Sequence, residues 1–138
     1  MEHPTVFPTL RYDDAPAAID FLTSAFGAER HAVYTTDDGK IQHAELRFGN
    51  GLVMFGSTSP DWPATGGQPG GIYVVVDDPD AHCARARGAG AEITMELHDT
   101  EYGSREYAAR DPEGNNWYFG TYQPFAVASS DEPAKASA

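Results

Sequence analysis

Cysteine is almost absent: Cys83 is the only one in 138 residues. A lone thiol cannot close an intramolecular disulfide, so a reducing cytoplasm is the expected setting. Positive charge is also scarce. Nine Lys and Arg stand against 21 Asp and Glu, giving a formal net charge of −12, which repels nucleic acid and anionic membrane surfaces and argues against both as partners. No apolar run reaches the roughly 20 residues a membrane helix needs, and the N-terminus lacks the basic-then-apolar order of a secretory signal. There is no phosphate-cradling Gly-rich loop, zinc Cys pair, serine nucleophile elbow or His-Glu-x-x-His. These absences narrow location and partners but leave activity open.

The composition that remains, 41% hydrophobic and 22% charged, suits one domain with a real core. Thr5–Tyr12 reads as a strand, with Pro8 favouring an edge. Asp13-Asp14 then offers an N-cap, Pro16 fits a first turn, and Ile19, Leu22 and Phe26 recur at helical spacing until Gly27. Glu29–Thr36 and Ile41–Phe48 form a hairpin around Asp38-Gly39, and Leu52–Ser57 is a third strand. The aperiodic Gly/Pro/Ser-rich stretch from Ser59 to Gly71 reads as a linker. Ile72–Val76 is strand-like, and Asp77-Asp78-Pro79 repeats the helix start for a helix to Gly88 or Gly90. Ala91–Leu97 is a further strand. Tyr102–Tyr122 then makes an aromatic hairpin around Asp111-Pro112-Glu113-Gly114-Asn115, and residues 125–138 read as a disordered tail.

An internal repeat decides the architecture. Asp13-Asp14, helix, Gly27-Ala28-Glu29 recurs as Asp77-Asp78, helix, Gly90-Ala91-Glu92. Gly49-Asn50 leading to Phe55-Gly56-Ser57 recurs as Gly114-Asn115 leading to Phe119-Gly120-Thr121, most pairs being 64 residues apart (77 − 13, 119 − 55). Each half reads strand, helix, three strands, and a unit that small needs its copy to bury its faces. The expected fold is α+β, a duplicated βαβββ.

With that repeat and the Asp-Pro-Glu-Gly-Asn turn before an aromatic strand, the chain resembles the vicinal oxygen chelate superfamily of glyoxalase I, extradiol dioxygenases and bleomycin-resistance-type proteins. The resemblance covers roughly residues 4–123. It implies two βαβββ modules in a U-shaped mixed sheet, with a concave ligand cleft and helices on the outer face. Module one spans about 4–58, the linker 59–70 and module two 71–123, within one domain over 1–124. The nearest group is the small bacterial bleomycin-resistance-like proteins, which implies a homodimer. In metal-dependent relatives the ligands come from the first and fourth strand of each module, which here are Phe7, Met54, Gly71 and Tyr118. None supplies the imidazole or carboxylate that a divalent cation wants, so the expectation is no metal and no cofactor.

Alternation on Ile41–Phe48 sends Ala44, Leu46 and Phe48 towards the helices, and Ile41, His43, Glu45 and Arg47 to the cleft. His43 and Glu45 read either as ligand contacts, as an acid/base pair, or as a solvated strand face. Tyr73, Tyr118 and Tyr122, with Asn116, should face the cleft and suit an aromatic ligand, unless they fill core. Thr9 and Arg11 share the face of Phe7. Tyr102 and Arg105 open the last hairpin. Arg105 holds a ligand carboxylate or phosphate, or else braces the turn through Glu106, Glu101 or Asp111. Alanines on both sides leave the inward face of Ser104–Arg110 open. Cys83 follows His82 on a helix, where neighbours diverge by about 100° and cannot form a nucleophile pair; His3, His31 and His98 read as surface residues.

The resulting expectation is metal-independent binding of an aromatic or amphipathic small molecule, of the bleomycin-resistance (sequestration) type. The site would draw on Phe7, Thr9, Arg11, His43, Glu45, Met54, Tyr73, Tyr102, Arg105, Asn116 and Tyr118. The alternative is a glyoxalase-like lyase or isomerase, or a dioxygenase-like enzyme, with a displaced divalent metal or His43 as acid/base.

Overall fold

Asp14 and Asp78 start the two helices in the same way. In the computed structural model, which describes residues 3–126, the Asp14 carboxylate accepts the Ala17 amide at 3.1 Å and that of Asp78 accepts the Ala81 amide at 3.1 Å. A proline in the first turn of each helix forfeits no intrahelical bond. Helix α1 (Ala15–Phe26) buries Ile19, Leu22 and Phe26. Helix α2 (Pro79–Gly88) buries only Pro79, Cys83 and Ala86, so its small face lies close on its neighbours.

The strands are β1 (Thr9–Tyr12), β2 (Glu29–Thr35), β3 (Ile41–Phe48) and β4 (Gly51–Ser57) in module one. Module two has β5 (Ile72–Val75), β6 (Glu92–Asp99), β7 (Arg105–Arg110) and β8 (Asn116–Gly120). They form two four-stranded mixed sheets, ordered β1-β4-β3-β2 and β5-β8-β7-β6. The duplication extends to register: Thr9 faces Met54 and Tyr73 faces Tyr118, each residue 64 positions from its counterpart (73 − 9, 118 − 54). This is the expected α+β duplication of βαβββ, its mixed sheet built of one four-stranded part per module, with β1 and β5 at edges. Pro8, which has no N–H to offer a further strand, immediately precedes β1.

Alternation places the core. Tyr12, Ala44, Leu46, Val53 and Phe55 of sheet one are buried, as are Tyr107, Trp117 and Phe119 of sheet two. Phe26 joins the halves, its ring centroid 4.7 Å from Phe119 and 5.5 Å from Trp117. One face of each sheet is therefore spent on this shared core, and the other stays open.

Three expectations shift. β1 begins at Thr9 rather than Thr5, which leaves Phe7 ahead of the strand. Ile41 is buried in the core instead of facing the cleft. The cause is a bulge: Thr35 pairs with Ile41 but Tyr34 pairs with His43, so Gln42 is an extra residue that resets the alternation. Residues Pro124–Ala126 form a 3-10 turn where the tail was expected to begin, and residues 127–138 lie outside the described residues.

Candidate functional site

On the open face of sheet one lies a cavity of about 590 Å³. Its floor is Thr9 and Arg11 of β1, Gln42 and His43 of β3, and Met54 and Gly56 of β4. Its wall is the stretch read from sequence as a linker, which contributes Trp62, Thr65 and Gln68. Ser59 and Trp62 exchange backbone hydrogen bonds at 3.0 Å, making a tight turn that presents the indole. Thr65 then adds a short strand-like contact to β1, donating its amide to the Arg11 carbonyl at 3.1 Å and accepting the Arg11 amide on its hydroxyl at 3.2 Å. Gly67 donates to the Gly114 carbonyl, and the Asn116 side chain donates to the carbonyls of Gln68 and Gly70. The stretch is therefore fixed at both modules.

The Arg11 side chain reaches to the end of β4. Its Nη1 donates to the Ser57 carbonyl at 3.1 Å, and its guanidinium carbon sits 5.1 Å from the Trp62 ring centroid, a cation–π arrangement. Gly56 makes room for it: a Cβ there would stand 3.0 Å from Nη1 and 2.9 Å from the Gln42 carbonyl oxygen. At the cavity rim His43 Nε2 bonds Glu45 at 2.8 Å, with Tyr34 stacked beside the imidazole. His31, expected as an isolated surface residue, is exposed but engaged. Its Nδ1 accepts from Arg47 at 2.7 Å, and its Nε2 is 3.8 Å from Glu45. The Glu45 carboxylate thus hydrogen-bonds one imidazole and lies near a second.

Sheet two carries a separate cluster on its own open face. Tyr73 donates to Glu106 at 2.8 Å and Ser104 to the same carboxylate at 3.0 Å, while Tyr102 reaches it at 3.4 Å. Tyr122 stands edge-on to both Tyr73 and Tyr102. Burial with the neighbouring Glu106 charge pushes the Tyr73 phenol up, although the Tyr122 amide opposes this. The candidate residues therefore divide. Thr9, Arg11, His43 and Met54 share the cavity, with Glu45 at its edge, whereas Tyr73, Tyr102 and Tyr118 belong to sheet two.

Three candidates are placed elsewhere. Phe7 does not line the cavity. Arg105 points to α2 and β6, paired with Asp80 at 2.7 Å and Asp99 at 3.1 Å, none of the partners anticipated for it. Asn116 is occupied in holding the 68–70 segment. In the other direction, Trp62, Gln42, Gln68 and Glu106 were missed. Trp62 had a signal, a lone tryptophan between Pro60 and Pro63, whereas the bulge that exposes Gln42 has none.

A family model described as the Glyoxalase/Bleomycin resistance protein/Dioxygenase superfamily matches residues 3–119. An uncharacterized protein of Mycobacterium bovis is 36% identical over 137 residues, spanning 94% of this chain and 89% of that one. The chain belongs to this superfamily. Among solved structures, TioX from Micromonospora sp. ML1 is similar at 34% identity and a TM-score of 0.70, over 92% of this chain and all (100%) of TioX. FosX, a fosfomycin resistance protein of Listeria monocytogenes complexed with Mn(II) and sulfate, matches at 13% identity and a TM-score of 0.68, over 91% of this chain and 97% of its own. At that identity the likeness is one of fold.

The superfamily's metal positions can be tested for fit on this chain. Phe7, Met54 and Tyr118 offer a phenyl ring, a thioether and a phenol. At Gly71, a Cβ would collide with the Tyr118 ring and the Asn116 carbonyl, so no side chain of any kind fits there. The donor set does not suit a divalent cation, and no group of three or more His, Cys, Asp or Glu with metal-holding geometry occurs among the described residues.

Proposed function

We propose that the protein binds an aromatic small molecule in the cavity on sheet one, without a metal, and releases it unchanged, as a sequestering member of its superfamily. The observation that carries this reading is the cavity itself. It combines about 590 Å³ of space with an indole, a guanidinium and amide groups converging on it, the mix of apolar area and few oriented polar groups that ligand sites use. The mismatch at Phe7, Met54, Gly71 and Tyr118 supports the metal-independent part. Open sheet faces carrying Tyr34, Tyr73 and Met95, all exposed, support a homodimer, and the single thiol supports a cytoplasmic setting.

One observation favours a second reading: the 2.8 Å bond between His43 and Glu45 is the arrangement of a general base with its orienting carboxylate. The two readings separate in one set of measurements. Protein purified without a histidine tag is assayed for bound metal and screened against planar compounds by thermal shift, and each hit is recovered and checked for conversion. Sequestration predicts sub-stoichiometric metal and intact ligand. Conversion that disappears in His43→Asn, or a stoichiometric ion, would transfer the protein to the enzymatic reading. Light scattering giving a monomer at micromolar concentration would remove the dimer.

A further inference from the structure

We infer that the cavity on sheet one selects an anionic planar ligand, a carboxylate or phenolate whose negative group meets Arg11 and whose ring lies along Trp62. This inference rests on the cavity being the ligand site. Its basis is a charge asymmetry. The chain holds 21 Asp and Glu against 9 Lys and Arg, yet no residue lining this cavity is acidic. Three cations elsewhere are matched with acids, Arg87 with Glu96, Arg105 with Asp80 and Asp99, and Arg110 with Glu92, whereas Arg85 spends its donors on the Ser24 and Thr23 carbonyls. Arg11 is half-buried and has no carboxylate partner of this kind among the described residues. Glu45, on β3 beside His43, is directed at His43 and His31.

Arg11 uses Nη1 on the Ser57 carbonyl. Its Nη2 and Nε donors make no hydrogen bond to the described residues, and a planar guanidinium with two free N–H groups matches a carboxylate in bidentate fashion. Gly56, having no Cβ, leaves the space beside Nη1 free. Trp62 already stacks on the guanidinium and is 59% exposed, so its free area can take an aromatic ring beside the anion. Gln42 and Gln68 add amide donors, and His43 adds an imidazole. A cationic ligand would meet none of the acceptor charge it needs here.

The test is calorimetric titration with three isosteres: 2-naphthoate, neutral 2-naphthamide and cationic 2-naphthylmethylamine. Backbone amide spectra report which residues respond. The expected result is shifts at Arg11, Gly56 and Trp62, with 2-naphthoate bound about tenfold or more tighter than the amide, as hydrogen bonds to a charged group imply. The amine should be weakest. Arg11→Met should erase the preference while Arg11→Lys keeps part of it, with thermal melts confirming that both variants fold. Equal binding of all three at the cavity overturns the charge selection and leaves the ligand site standing. Shifts that map away from the cavity, or no binding by any probe, overturn both.

Discussion

The Tyr12 hydroxyl donates to the Asp111 carboxylate at 2.6 Å, joining residues 99 positions apart. Asp111 also accepts the Trp117 indole N–H at 3.0 Å and the amides of Glu113 and Asn115. The turn that looked from sequence like ordinary hairpin punctuation is thus the bolt between the modules. Burial first, then the adjacent carboxylate, pushes the Tyr12 phenol well above its ordinary value, so it stays a donor at any physiological pH.

Asp111→Ala should therefore be among the most damaging single changes. It strands buried donors on Tyr12 and Trp117, each worth about 1–3 kcal/mol when left unpaired, so a loss of roughly 3 kcal/mol or more is expected in urea denaturation. Tyr12→Phe removes only one bond and should lose about 1–2 kcal/mol. If the two variants melted alike, the hub role of Asp111 would be refuted.

His82 gives a pH dependence with a definite sign. Its Nε2 faces the Phe26 carbonyl at 3.0 Å, so that nitrogen carries the proton and Nδ1 accepts from the buried Tyr107 hydroxyl. Burial, with Arg85 nearby, holds its pKa below the usual imidazole value of 6.5. The unfolded chain then binds more protons than the folded one between these two pKa values. Stability should be full above about pH 7 and fall as the pH drops through roughly 6.5 towards the folded value, then level off. His82→Gln keeps a donor and an acceptor without titrating. Its melting curve, compared with wild type at each pH, should lack this step; an identical pH profile would count against the assignment.

Gly66 sits where the 59–71 segment crosses the Asp111–Asn115 turn, and a Cβ there would land on the Glu113 carbonyl oxygen. Backbone on both sides leaves nothing flexible to yield. Gly66→Ala is expected to displace this segment, and with it Trp62 and Thr65, so that binding in the cavity falls more steeply than thermal stability. Full binding with a lowered melting temperature would mean that the segment is not a functional wall.

How much of this was legible follows from what each feature depends on. Helix starts at Asp14 and Asp78, the 64-residue register and the burial of Ala44 and Leu46 on β3 follow from local chemistry and period, and they are where the sequence placed them. Gln42 replaced Ile41 on the cavity floor because one bulge resets alternation, and no residue type announces it. Arg105 found Asp80 and Asp99 because partner choice among 21 acids depends on tertiary approach. The 59–71 segment was unreadable for a related reason: its order comes from hydrogen bonds to Arg11, Gly114 and Asn116, all distant in sequence, and not from its own periodicity.

Glu113 offers the last test, one that separates charge from hydrogen bonding. Its carboxylate accepts the Asp13 amide at 2.7 Å and the Asp14 amide at 2.8 Å, from module two onto the start of α1. Asp14 already caps that helix with its own carboxylate, and Glu113 adds from module two a second negative charge of the kind a helix N-terminus favours. Glu113→Gln preserves an acceptor and removes the charge, and should lose about 0.3–1 kcal/mol at low salt. Glu113→Ala removes the acceptor as well and should lose about 1 kcal/mol more. The gap between wild type and Glu113→Gln should close at roughly 1 M salt, where screening acts within about 3 Å, while the gap between Glu113→Gln and Glu113→Ala should persist. A salt-independent gap between wild type and Glu113→Gln would assign the whole effect to geometry and leave the helix dipole with no part in holding the modules together.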